Sequence, residues 1–127
     1  MSLSVKPNIQ IILYVKNMAE EVHFYRDVLG LSIRYPQDIV DYSDQMWVEL
    51  EIGDATLALH GGADENPQDD HEIVFTVDDI VHAREQIIEA GIHMREIRPL
   101  EDGAPISEGK DPDGHRFAIR SYKVNAF

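Results

Sequence analysis

Val15-Lys16-Asn17-Met18 returns later in the chain as Val77-Asp78-Asp79-Ile80. Each stretch follows an apolar run and precedes an apolar stripe at helical spacing, so each marks a passage from strand to helix. Before the first, Ile9 to Val15 alternates, with Ile9, Ile11, Leu13 and Val15 on one face and Gln10, Ile12 and Tyr14 on the other. After it, Asn17 is placed to cap a helix with Glu20 three positions on, and Met18, Val22, Tyr25 and Leu29 form the stripe that Gly30 ends. The second copy repeats this order. Ile73, Phe75 and Val77 supply the strand face, Asp79 the cap, and Ile80, Ala83, Ile87 and Ala90 the stripe that Gly91 closes.

Working outward, Leu31 to Tyr35 reads as a strand, Pro36 to Gln45 as a polar connection, and Trp47–Ile52 with Ala55–His60 as a hairpin turning at Gly53-Asp54. In the second half, His93 to Ile97 takes the place of the second strand. Ile106 to Gly109 and His115 to Tyr122 follow, joined at Asp111-Pro112-Asp113-Gly114. The pattern is βαβββ twice, over residues 9–60 and 71–122, with the Gly-, Pro- and acid-rich residues 61–70 as linker. A ferredoxin-like βαββαβ order would leave the Trp47–His60 hairpin and the Ile106–Gly109 strand as insertions. The expected fold is therefore α+β: one domain spanning residues 1–127, whose two modules form an open, cup-shaped mixed sheet.

The chain has 127 residues, 43% of them hydrophobic, enough for one core. A net charge of −13 repels phosphate backbones and anionic membrane surfaces within about a Debye length, ~10 Å, which argues against nucleic-acid and membrane partners. With no cysteine, disulfides, thiolate nucleophiles and thiolate metal sites are excluded, as suits a cytoplasmic protein. No apolar run approaches the ~18 residues of a membrane helix. Gly61-Gly62 lacks the Lys-Ser/Thr of a phosphate-binding loop, and no serine lies in a nucleophile elbow.

The stretches Val15-Lys16-Asn17-Met18, Phe24-Tyr25, Val28-Leu29-Gly30-Leu31, Val77-Asp78-Asp79 and Asp111-Pro112-Asp113-Gly114 together resemble the vicinal oxygen chelate (glyoxalase/bleomycin resistance/dioxygenase) superfamily. The resemblance runs from about Ile9 to Tyr122 and implies a small-molecule ligand and a homodimer. In metal-dependent members four cup-lining side chains hold a divalent ion. The matching positions here are Gln10, Ala58, Glu72 and Ala118, of which the alanines offer no donor atom.

His60 lies two residues beyond Ala58 on the same strand face, so Gln10, His60 and Glu72 are the candidate ligands of a divalent ion such as Mn, Fe, Ni or Zn. Glu72 doubles as the candidate catalytic base. Alternation adds Ile12 and Val74 to the cup face, and with them the candidate ligand-binding residues Tyr14, Trp47, Glu49, Arg116 and Arg120. Trp47 is suited to stacking on a planar ligand and Tyr14 to donating a hydrogen bond. Each also has an ordinary use, in core packing or in ion pairs. His23, His71, His82, His93 and His115 are read as having no part in the site.

Two functions lead at this level, with a purely structural or regulatory dimer as a third. One is a metal-assisted glyoxalase-type lyase, isomerase or dioxygenase. The other is a metal-free protein that sequesters a cationic or aromatic small molecule, as bleomycin-binding members do.

Overall fold

The computed structural model describes residue 4, residues 6–67 and residues 71–121. Tyr122, at the expected end of the last strand, and residues 68–70 of the expected linker lie outside the described residues. The chain divides into two compact units, Met1–Glu65 and Asn66–Phe127.

In the first unit β1 (Gln10–Tyr14) leads into α1 (Met18–Val22), which continues as a π-helical segment (His23–Val28). Then come β2 (Ser32–Tyr35), β3 (Trp47–Ile52) and β4 (Ala55–His60). The sheet order is β1-β4-β3-β2, with β1 parallel to β4 and the other pairs antiparallel. Asn17 caps α1, its Oδ1 accepting from the Glu20 amide at 3.0 Å, a bond of the kind that stabilises a helix by about 1 kcal/mol. Gly30 adopts φ +86°, the left-handed conformation that ends the helix.

The expected stripe from Met18 to Leu29 is helical as far as Val28, but its second half is π, not α. Phe24 and Tyr25 are consecutive and both fully buried, a pairing that the regular α spacing does not offer to one face. The wider turn accommodates them, with the Leu29 amide donating to the Phe24 carbonyl.

The second unit repeats the plan: β5 (Ile73–Thr76), α2 (Ile80–Glu89), β6 (Arg98–Pro99), β7 (Pro105–Lys110) and β8 (Arg116–Arg120), in sheet order β5-β8-β7-β6. Again the first strand is parallel to the last. Asp79 Oδ1 accepts from the His82 amide at 3.0 Å, matching the cap at Asn17.

The expected strand over His93–Ile97 is not formed. Only Met94 makes an isolated bridge, to Gly109, and pairing resumes at Arg98–Pro99. Side chains have taken the carbonyls: Arg84 donates to Met94 and Arg95, and Ser107 Oγ donates to Arg95 at 2.6 Å. Gly109 fits under Met94 because a Cβ there would collide with the methionine sulfur.

Each sheet has two unlike faces. In the first unit Leu13, Leu57, Leu59, Val48 and Leu50 alternate onto one face; these all lie in strands paired residue by residue, and all but half-buried Leu13 are fully buried. In the second unit Phe75, Phe117 and Ile119 do the same, Phe75 and Phe117 meeting edge to face at 6.5 Å. Burying one such side chain stabilises a fold by roughly 1.5–3 kcal/mol, so these faces hold each unit together and leave the opposite faces to carry chemistry.

Candidate functional site

Strand register assembles the other face of the first sheet in rows. Tyr14, His60 and Trp47 form one row across β1, β4 and β3, and Ile12, Ala58 and Glu49 form the next. The Tyr14 and His60 rings are 5.1 Å apart and tilted by 41°, while Trp47 stands nearly perpendicular to His60 at 6.0 Å. The His60 Nδ1–H donates to the Gly61 carbonyl at 2.9 Å. Both Glu49 oxygens are engaged: Oε1 accepts from Arg34 at 2.7 Å and Oε2 from the Trp47 indole at 2.8 Å. That arrangement fixes the indole and suits an ion pair better than a proton-abstracting base.

Gln10 sits one row beyond Ile12, opposite Thr56, and its amide donates to the Thr56 hydroxyl at 3.2 Å. His60 lies four residues along β4 from Thr56, roughly 13 Å at the strand rise. Gln10 and His60 are thus on one face but not brought together.

In the second unit Glu72 and Arg116 share a face with Val74, Ala118 and Glu108, and Arg120 lies one row further. Glu72 Oε2 is 3.7 Å from Arg116 Nη2, and Arg120 faces Asp102 at the same distance. Glu108 Oε1 accepts from Arg98 Nε and Nη2 at 3.2 and 3.0 Å. A cavity of about 440 Å³ opens here, with Glu72, Glu108, Arg116, Lys110, Arg95 and His93 in its wall. Its size is that of a small-molecule site. His93, read from the sequence as having no part, is in the wall.

The two units repeat even in their charges. Arg34 on β2 holds Glu49 beside Ala58, and Arg98 on β6 holds Glu108 beside Ala118. The family model described as the Glyoxalase/Bleomycin resistance protein/Dioxygenase superfamily matches residues 9–119. The chain belongs to that superfamily.

Solved structures with the same fold are as diverse as the superfamily's name. They include TnmS3, an antibiotic binding protein from Streptomyces sp. CB03234, at a TM-score of 0.75 and 15% identity over 94% of this chain and 98% of that one. A lactoylglutathione lyase from Agrobacterium tumefaciens gives 0.71 and 19%, over 94% and 96%. The fosfomycin resistance protein FosX from Mesorhizobium loti gives 0.68 and 19%, over 98% and 96%. At these identities the likeness is one of fold. No curated protein matches the chain.

Gln10 on β1 and Glu72, just before β5, each offer an oxygen donor, and each unit carries a fully buried alanine, Ala58 or Ala118, on its last strand. The carboxylates beside those alanines, Glu49 and Glu108, are bound to guanidinium groups. These residues do not fit a four-ligand ion. Among the described residues no helix is long and apolar enough to cross a membrane.

Alternation along β7 would have nominated Glu108 and Lys110 once that strand was extended past Gly109. Nothing local to the sequence marks Arg95 or His93, which lie outside any strand.

Proposed function

We infer that the protein binds a small organic molecule without a metal ion and does not transform it by metal-assisted chemistry. The observation that carries this reading is the repeated replacement: at Ala58 and Ala118 a ligand atom is missing, and the adjacent carboxylate is clamped by arginine. Two oxygen donors would compete poorly with the hydration shell of Mn, Fe, Ni or Zn. In the first unit the row Tyr14–His60–Trp47 offers ring faces and edges to a planar ligand, and Tyr14 is 60% exposed.

Titration calorimetry of the chelator-treated protein with the four ions, and fluorescence of Trp47, the one tryptophan, test the reading. Wild type and His60→Ala are expected to give the same null isotherm. The planar cation proflavine is expected to quench Trp47 saturably, with Tyr14→Ala weakening binding by up to about tenfold. A stoichiometric isotherm abolished by Glu72→Gln would overturn the metal-free reading, and proflavine without effect at millimolar concentration would overturn the ring row as its site.

The assembly we propose is a homodimer. β1 is the outer strand of its sheet; Ile11 and Ile12 on it are 36% and 41% exposed, and Ile9 just before it is 62% exposed. An outer strand bearing open apolar side chains invites a partner.

A further inference from the structure

A basic cavity lies in an acidic protein. The chain carries 11 lysines and arginines against 24 acidic residues, yet Arg95, Lys110 and Arg116 all stand in one cavity wall. The two carboxylates of that wall are both answered, Glu108 by Arg98 and Glu72 by Arg116. In the wall itself three permanent cations, Arg95, Lys110 and Arg116, stand with two carboxylates, Glu72 and Glu108, so its own charge is positive. Arg95 is the clearest part of it. Its carbonyl is fixed by Arg84 and Ser107, while its guanidinium makes no hydrogen bond or ion pair among the described residues.

We propose that this cavity binds a small organic oxyanion, a molecule bearing a carboxylate or a phosphate, with Arg95 as its anchor. A guanidinium presents paired N–H donors that match two oxygens of either group. The positive surplus favours an anion over a cation of equal size. A volume of about 440 Å³ is more than a bare inorganic ion fills, so the charged group is joined to an organic body. The site lies wholly in the second unit and does not depend on the ring row of the first, so the two can fail separately.

Amide shifts of the full ¹⁵N-labelled chain, titrated with benzoate, phenyl phosphate and benzamidine, test the proposal. Both anions are expected to shift the amides of Arg95, Gly109, Lys110 and Arg116 saturably, while benzamidine, the same ring with positive charge, leaves them in place. Arg95→Ala is expected to weaken benzoate by at least about tenfold and Arg95→Lys to restore part of the loss, both with a native amide spectrum. The tighter of the two anions identifies the oxyanion group. The proposal falls if benzamidine shifts these amides as readily as benzoate, if neither anion moves them, or if Arg95→Ala binds benzoate like wild type.

Discussion

Asp27 shows how a single residue ties the helical end of the first unit together. Arg26 Nε donates to its Oδ1 at 2.8 Å, and His23 Nδ1 lies 2.9 Å from Oδ2. The Arg26 hydrogen bond, chiefly, holds the Asp27 carboxyl below the usual carboxylate range, against a smaller opposing effect of burial. A group whose folded pKa is lowered contributes stability above its unfolded value, ~3.9, and loses it as pH falls through the folded one. Both partners are more than a third exposed, so solvent screens most of the energy. Carboxyl NMR titration is expected to give Asp27 a midpoint below ~3.9 that rises in Arg26→Ala. An unchanged midpoint in the variant would show that the pair does not persist in solution. None of this was visible in the spacing of apolar residues, because the pair faces away from the stripe that spacing detects.

Helices and strands were legible where one short-range rule governs them. Asn17 and Asp79 are caps because of their own side chains, and the Trp47–His60 hairpin follows from alternation on both sides of Gly53-Asp54. Where tertiary contacts decide, the sequence was silent: Arg84 and Ser107 draw off the carbonyls a strand over His93–Ile97 would have used, and paired aromatics widen α1 into a π segment. The candidate site follows the same division. Alternation suffices to group Tyr14, Glu49, Trp47 and His60, or Glu72 and Arg116, but Arg95 reaches the cavity from an irregular segment. The apolar faces carry the element-scale prediction. Tyr25→Ala and Phe75→Ala are each expected to cost ~3–5 kcal/mol in chemical denaturation, because each removes a buried ring from its unit's core. A loss under ~1 kcal/mol at either position would mean that ring is not part of a packed core.

At the scale of the molecule, light scattering at micromolar concentration is expected to find a species of twice the 14.5 kDa chain mass. A monomer alone would refute the dimer, and Ile11→Lys is expected to yield that monomer by placing charge on the outer strand. The pairing of each first strand with its last, β1 with β4 and β5 with β8, also sets the order in which the molecule can be made. A chain leaving the ribosome carries β1 without its only sheet neighbour until β4 emerges, and then β5 waits through the whole of α2, β6 and β7 for β8. Such pairings close long loops before contacts reward them, which slows folding. The first unit has all its strands while the second is still being synthesised, so a nascent chain halted before Arg116 would hold one completed sheet, with β5 unpaired and β7 open along one side, both exposed to chaperones and aggregation.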